Sequence, residues 1–471
     1  MLIIPGFSKI KISKNTGGRF MKKGKKYLSL VLAAAMMSQV LVGCGSSAQE
    51  TTAAAKEIQA ATTAAAAETT KAAAEAPAEE AVHLKWALWS ADSQPYWQPI
   101  ADAYMEQNPN VTIEIIDLGA TDYATALTTQ LAGSDTPFDV VAIKDMASYL
   151  SLIRKGLLVE LDESKLEKDL YGSKLETLAW NGSYYTLPLR SDFYLTFYNK
   201  EIFDKAGVAY PSNDMTFEEY DAMVKSLTDT SFGNEVYGTH YHTWNFIVQG
   251  MAAVGEDKNV MEGGYEYMKP YYEMVMNQQD EKVCMDYASL KTSGLHYLGA
   301  FGQGNVATML MGSWAIGSLI TRINEGQYPD LGEWAVAAFP HSDNGESGNT
   351  LANFVGVSAV KNSEHVDVAE DFVRFAGGSA GAAIVAQTGF MPGAMSDEAM
   401  DVIFSVEGFP TDEGSKEAIL GVKKVYLDTP ASENCPEISQ ILTTGHDYIM
   451  TGTMTIDEGI AYMNEEVAKL K

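Results

Sequence analysis

Basic residues are scarce in this chain of 471 residues. It has 33 Lys and Arg against 62 Asp and Glu, which gives a formal net charge of −29 at pH 7. A field of that sign repels nucleic-acid phosphates and anionic lipid surfaces, whereas neutral solutes are indifferent to it and cations are mildly attracted. The composition therefore argues against nucleic-acid binding.

Cysteine is rarer still, with three residues in the whole chain. Cys44, Cys284 and Cys435 are far apart and show none of the short spacings typical of metal sites. Cys284 and Cys435 allow two interpretations, a disulfide in an exported protein or two buried thiols, and the sequence leaves both open.

Two patterns resemble cofactor motifs but lack the context that such motifs need. His240 and His242 place two imidazoles on one face of a strand, yet no third ligand stands at a convincing spacing. Gly302-x-Gly304-x-x-Ala307 matches the dinucleotide fingerprint, but it follows a predicted helix rather than a strand, which removes the phosphate-cradling geometry. The sequence predicts no metal and no cofactor.

Long apolar runs are also missing, apart from a short one near the N-terminus. Residues 27–42 are mostly apolar, but the run is too short for a spanning helix of about 20 residues. Basic residues at 22–26 precede it, and this pattern predicts a signal peptide over residues 1–43, with Met21 as the predicted true start. The run ends in Leu41-Val42-Gly43-Cys44, which resembles the lipobox of bacterial lipoproteins. The resemblance implies that Cys44 becomes the first mature residue and carries a diacylglycerol.

Residues 44–81 lack the side chains that build a core. They are almost entirely Ala, Thr, Glu, Ser, Gln and Lys, without any aromatic residue. Such a segment cannot bury enough apolar surface to offset its chain entropy, so we predict a disordered tether. A lipid followed by a tether describes a domain held at the outer face of a membrane.

From residue 82 onward the chain is ordinary globular sequence, and its length predicts two domains or lobes. Strand patterns alternate with helix patterns, which indicates an α/β fold with largely parallel sheets and a ligand crevice at the carboxyl ends of the strands. A hairpin is predicted around the Asn181-Gly182 turn. The other predicted strands are 82–90, 111–116, 138–143, 193–198, 334–339 and 354–360, and the predicted helices are 96–107, 123–132, 146–155, 200–206 and 217–227.

Several segments together resemble the family 1 extracellular solute-binding proteins, the sugar-binding subunits of ATP-binding-cassette importers. The segments are 185–189 (YTLPL) with 198–200 (YNK), 217–220 (FEEY), 301–314 (FGQGNVATMLMGSW), 354–361 (FVGVSAVK) and 388–392 (TGFMP). The resemblance implies a two-lobed periplasmic-binding-protein-like fold whose ligand cleft lies at the hinge. Lobe one would hold 82–190 and 354–391, and lobe two 194–350 and 392–471. It also implies a monomer that delivers its ligand to membrane permease subunits and catalyses nothing.

A sugar offers apolar faces and a rim of hydroxyls, which suit aromatic rings and charged hydrogen-bonding groups. The sequence has both near predicted strand ends, and the resemblance makes Trp314 the stacking tryptophan. The predicted ligand-binding residues are Trp89, Asp92, Asp145, Arg190, Asp192, Tyr194, Trp244, Trp314, Asn353 and Phe390.

Each of these residues also has a structural interpretation. The aspartates are favoured at helix N-caps, the tryptophans could be core residues, and Arg190 could form an interlobe salt bridge. Arg190 and Asn353 depart from the family pattern, so an acidic sugar or another anion stays possible.

We therefore expect an extracytoplasmic protein that captures a carbohydrate, with an oligosaccharide favoured. The alternatives are the same fold binding a polyamine, a peptide or an anion, or a surface glycoside hydrolase. The hydrolase would need two carboxylates across one glycosidic bond, and no such motif stands out.

Overall fold

The computed structural model describes residues 80–133, 137–171, 173–231 and 235–470. The predicted signal peptide, Cys44 and nearly all of the predicted tether lie outside the described residues. Within the described part, no helix combines the length and the apolar character needed to cross a membrane.

The strands form one continuous mixed sheet in the order β2-β1-β3-β8-β4-β6-β5, with β7 paired to β4 and β9 paired to β8. The bounds are β1 Val82–Leu88, β2 Val111–Asp117, β3 Val140–Ile143, β4 Leu187–Asn199, β5 Tyr237–His240, β6 Val306–Gly312, β7 Trp334–Ala338, β8 Asn349–Ala359 and β9 Lys424–Leu427.

Helices flank the sheet, and many begin at a side chain that caps free backbone groups, while some end at a glycine in the left-handed conformation. The helix at 217–227 starts with a capping box between Thr216 and Glu219, and the helix at 200–206 ends at Gly207 with φ 67°. The bounds are α1 Trp97–Gln107, α2 Tyr123–Leu131, α3 Met146–Arg154, α4 Ser173–Glu176, α5 Lys200–Ala206, α6 Phe217–Leu227, α7 Asn245–Gly255, α8 Lys269–Asp280, α9 Tyr287–Ser293, α10 Tyr297–Gly302, α11 Trp314–Asn324, α12 Val366–Gly377, α13 Ser379–Gln387, α14 Asp397–Phe404, α15 Glu413–Leu420, α16 Cys435–Met450 and α17 Ile456–Ala468.

The long strand β4 joins the two halves of the sheet. Its first part, 187–193, pairs with β8 beside β3 and β1, and its second part, 194–199, pairs with β6 and β7. The register shifts between Pro188 and Arg190, where the ladder is irregular. A single strand that serves both halves places its central residues where the two halves meet.

The predicted α/β class and most predicted elements are confirmed, often within one or two residues. Two details are wrong. The sheet is mixed rather than largely parallel, because β4 and β8 run antiparallel to their main neighbours. The predicted hairpin is reduced to a bridge between Trp180 and Ser183 around Asn181 and Gly182, since the chain after the turn pairs with β8 instead. The turn residues have φ 53° and 84°, as the Asn-Gly signal predicts.

Cys284 and Cys435 are both buried free thiols. The sequence left open a disulfide or two buried thiols, and the structure has two buried thiols. Burial raises the pKa of each thiol to about 12, so neither is a reactive thiolate at neutral pH.

Candidate functional site

A cavity of about 590 Å³ opens where the two halves of the sheet meet. Its walls come from the segments that follow β1, β3, β5 and β6, together with β4, β8 and the α9–α10 region. The carboxyl ends of strands from both halves therefore converge on one space, as expected for a ligand site in an α/β fold. Its lining includes Trp89, Ser90, Ser93, Gln94, Thr121, Lys144, Asp145, Arg190, His242, Thr243, Trp244, Phe246, Lys291, His296, Tyr297, Trp314, Ser318, Asn353 and Val355.

One wall is a cluster of aromatic rings around Trp314. The Trp314 ring packs edge-on against Tyr194 at a centroid distance of 5.3 Å, and Trp244 lies 6.3 Å away. Trp244 in turn contacts Phe246 at 5.3 Å and Tyr297 at 5.7 Å. Rings fixed by other rings present a rigid apolar face to a ligand at low entropic cost.

A glycine makes the position of Trp314 possible. A Cβ added to Gly312, the last residue of β6, would lie 2.0 Å from an atom of the Trp314 ring. The ring therefore occupies the space over the end of β6 that any larger residue would fill, which explains in physical terms the Gly-x-Trp pattern in the sequence.

Trp89 faces the cavity from the other half of the sheet. It lies at the end of β1, and its ring packs on Tyr123 at 4.9 Å and on Trp97 at 5.7 Å. The Lys144 ammonium lies 5.7 Å from the Trp89 ring centroid and donates to the carbonyl of Ala120 at 2.7 Å. Burial lowers the pKa of Lys144 from its usual value, with Asp145 opposing the shift.

An ion pair inside β4 lies at the bottom of the cavity, where Arg190 lines the cavity and Asp192 is buried behind it. Nη2 and Nε of Arg190 lie 3.0 and 3.1 Å from Oδ2 of Asp192, and Nη1 donates to Gln94 at 2.9 Å and to Tyr96 at 2.8 Å. Ser313, which follows β6, donates to the other carboxylate oxygen at 3.0 Å. Burial raises the pKa of Asp192, while Arg190 and Ser313 oppose that shift. The pair therefore ties residues of both sheet halves together.

The histidines near the cavity are neutral at physiological pH. Burial lowers the pKa of His242 to about 3 and that of His240 to about 4. The His242 ring contacts Trp244 at 4.4 Å and Tyr297 at 5.4 Å, so it extends the aromatic wall. In the described part of the chain, no three His, Cys, Asp or Glu side chains come together as metal ligands would.

Asn353 lines the cavity from β8 and is held from behind. Its side-chain nitrogen donates to Oδ2 of Asp428 at 2.8 Å, and the backbone nitrogen of Asp428 donates to the carbonyl of Ala352 at 3.0 Å. Burial raises the pKa of Asp428 to about 7, with the hydrogen bond from Asn353 opposing the shift.

Comparison with known proteins agrees with this geometry. Residues 90–383 match the family of bacterial extracellular solute-binding proteins. The chain belongs to this family. Membership places the protein outside the cytoplasm and confirms the resemblance seen in the sequence.

A sugar transporter of Rhizobium etli, solved in an open conformation, is 39% identical to the chain. Its structure superposes with a TM-score of 0.71, and the match covers 83% of this chain and 100% of that one. This likeness confirms the two-lobed fold class.

Curated relatives match over shorter stretches. A binding protein of Brucella abortus is 24% identical over 281 residues, which cover 57% of this chain and 65% of that protein. The arabinooligosaccharide-binding protein of Bacillus subtilis is 26% identical over 237 residues, which cover 47% and 50%. The chain thus spans less than two thirds of the length of either relative.

Six of the ten predicted ligand-binding residues line the cavity. They come from both halves of the sheet: Trp89, Asp145, Arg190, Trp244, Trp314 and Asn353. Asp145 also caps α3, accepting from the backbone nitrogen of Ser148 at 2.7 Å, so its two interpretations are compatible.

The other four predicted residues do not line the cavity. Asp192, Tyr194 and Phe390 are at most 1% exposed and support the wall from behind, because their strand or turn directs them into the core. Asp92 has a side chain that is 76% exposed and lies 3.5 Å from Arg322, outside the cavity.

Sequence reasoning missed most of the α9–α10 contribution. His296 and Tyr297 reach the cavity from a helix start rather than a strand end, and their rings lie 4.1 Å apart. No strand-end rule could find them. Gln94 could have been predicted from the sequence, because it lies in the same loop after β1 as Ser90 and Asp92.

Proposed function

We propose that the protein captures a carbohydrate, with an oligosaccharide favoured, and delivers it to the permease of an ATP-binding-cassette importer. The observation that carries the proposal is the cavity wall. Trp314, Trp244 and Tyr297 offer apolar ring faces, while Lys144, Asp145 and Asn353 offer hydrogen-bonding groups for hydroxyls. The sugar-transporter relative and the arabinooligosaccharide-binding relative support this ligand class.

Capture would work by closure of two lobes on the ligand. We keep the lobe boundaries predicted from the sequence, 82–190 with 354–391 and 194–350 with 392–471, as part of the proposal. The passage of β4 through both sheet halves supports a hinge at 193–194. A ligand that contacts both lobes only in the closed form shifts the population toward it.

We propose binding without turnover. Glycoside hydrolysis needs two carboxylates across the scissile bond. Among the described residues that line the cavity, Asp145 is the one carboxylate, and it is engaged as the cap of α3.

Titration of the purified protein with a panel of neutral, acidic and amino sugars, followed by tryptophan fluorescence, tests the proposal. We expect saturable binding of at least one oligosaccharide and an unchanged sugar after incubation, checked by chromatography. If only polyamines, peptides or anions bind, the proposed carbohydrate ligand is wrong. If shorter sugar products are released, the proposal of binding without turnover is wrong.

Trp314→Ala is expected to weaken sugar binding by at least about 1 kcal/mol, roughly fivefold in Kd, because an aromatic face is lost from the wall. Gly312→Ala should weaken binding as well, since the new methyl group displaces the ring. Calorimetric titration is the suitable measurement, because it does not depend on the tryptophan that is removed. Trp180→Ala, which alters a half-buried tryptophan in the turn at 180–183, is the control and should bind as the wild type does. An unchanged Kd for Trp314→Ala would contradict a stacking role.

We also propose that the protein is a monomer anchored to the outer face of the cell membrane by a lipid on Cys44. The lipobox at 41–44 and the tether behind it support the anchor. Cys44→Ser is expected to move the protein from the membrane pellet to the soluble fraction of fractionated cells, and Cys284→Ser is the matched control. Retention of the Cys44→Ser protein in the pellet would contradict lipid anchoring.

A further inference from the structure

Asn353 is distinguished among the polar residues of the cavity by its hydrogen-bond partner, the buried carboxyl group of Asp428. It lies on β8 directly opposite Asp192 of β4, at the centre of the joined sheet. Its amide nitrogen is committed to Asp428 at 2.8 Å, and Asp428 directly follows β9, which pairs with the same strand β8. Backbone and side-chain hydrogen bonds thus fix the two residues relative to each other.

Asp428 is a buried carboxyl group without a cation. It is 9% exposed, and none of the ion pairs formed by the described residues includes it. The titratable groups that act on it or respond to it are the Asp145 carboxyl and the Tyr194 phenol, and neither supplies a positive charge. Its charged form therefore depends on hydrogen bonds from Asn353 and from the side chain and backbone of Thr429, of which the one from Asn353 faces the ligand cavity.

We propose that ionised Asp428 is a positioning residue that holds the Asn353 amide with its carbonyl oxygen toward the cavity, where it accepts a hydrogen bond from a ligand hydroxyl. The inference rests on the proposed carbohydrate function and makes it more specific. An ionised carboxylate can only accept, so it must face the NH₂ group, and the opposite atom of the amide is left for the ligand.

The arrangement makes ligand recognition sensitive to one proton. A hydroxyl, the Asn353 amide and the charged carboxylate form a chain in which each hydrogen bond polarises the next. When Asp428 is protonated, its own hydroxyl can donate to the amide oxygen, and the amide can turn its NH₂ group to the cavity. The site then presents a donor where the proposed ligand hydroxyl also donates, and that hydrogen bond is lost.

The histidines at and near the cavity do not imitate this response, and burial also lowers the pKa of His296 from its usual value. Burial raises the pKa of Asp428 to about 7, whereas it lowers the pKa of His242 to about 3 and that of His240 to about 4. The histidines thus stay neutral across the range in which Asp428 changes its charge.

The first test needs no ligand. The side-chain amide resonances of Asn353, assigned by their absence in Asn353→Ser, are followed by ¹⁵N–¹H NMR between pH 5 and 8.5. We expect them to shift with one midpoint near neutrality in the wild type and to stay constant in Asp428→Asn. Resonances that do not move in the wild type would overturn the inference.

The second test uses the best sugar of the panel and calorimetry at pH 5.5 and 8. We expect binding by the wild type to be about three- to tenfold weaker at pH 5.5, the range given by one net hydrogen bond. Asp428→Asn should change less than twofold between the two pH values, whereas the exposed control Asp457→Asn should follow the wild type. Equal profiles for wild type and Asp428→Asn, or stronger binding in acid, would overturn the inference. If no sugar binds at either pH, the proposed function fails, and the amide titration still decides the role of Asp428.

Discussion

Asp192→Ala is expected to lower the free energy of unfolding by about 3–5 kcal/mol, the range for a buried ion pair that loses one partner. The substitution leaves the Arg190 guanidinium, which is 5% exposed, without its carboxylate, and it leaves the Ser313 hydroxyl without an acceptor. The loss falls where the sheet halves join, so both halves should unfold together. Urea denaturation at pH 7 with circular dichroism measures it.

Two further variants separate the effect of burial on stability from the effect of the unpaired charge. Asp92→Ala also removes an aspartate that lies near an arginine, but its side chain is 76% exposed, and a change below about 1 kcal/mol is expected. The double variant Arg190→Met, Asp192→Leu replaces both charges with apolar groups and should be more stable than Asp192→Ala alone. A double variant as unstable as the single one would show that packing, rather than the unpaired charge, dominates.

Asp428→Asn is expected to stabilise the protein in mild alkali and to have little effect in acid. The pKa of Asp428 is about 7 in the folded protein, against about 3.9 for an aspartate in an unfolded chain. Between these values the folded state holds a proton that the unfolded state has released, so the free energy of unfolding falls as pH rises. The full effect by pH 8 is on the order of 4 kcal/mol, with about 1.4 kcal/mol for each pH unit. Asparagine has no such charge to bury.

The measurement is urea denaturation of both proteins at pH 4.5, 6 and 8. The stability difference between variant and wild type should grow steadily across the series. Asp457→Asn, an exposed change in the first turn of α17, is the control and should change the free energy of unfolding by less than about 1 kcal/mol. A loss of stability for Asp428→Asn that is equal at all three pH values would mean that the carboxylate is needed for its hydrogen bonds in either charge state.

Local sequence patterns predicted the elements of this fold well, because each element has its own start and stop signals. The capping box at Thr216 and the glycine at 207 mark helix ends wherever the rest of the chain goes. Pairing partners were harder. The residues after the Asn181-Gly182 turn looked like the return strand of a hairpin, but β8, far away in sequence, offered a longer ladder. Alternation along a strand does not say which strand will lie beside it.

In the candidate site, too, local patterns were predicted from the sequence, whereas features that depend on long-range packing were not. Strand-end reasoning found Trp89 and Asp145, which lie where parallel strands end. It could not separate Arg190, which lines the cavity, from Asp192 two residues later, because alternate residues of a strand point to the same face of the sheet. It also gave no access to Tyr297, whose position depends on how α10 packs against the Trp244 ring.

The position of β8 has a consequence for synthesis. The apolar strand β3 at 140–143 pairs with β8 at 349–359, and β8 pairs with β9 at 424–427. When the ribosome has synthesised the first strands, it has therefore not yet synthesised the strands that pair with them. Contacts so distant in sequence form late and slowly, so most of the chain emerges before its first sheet half can close.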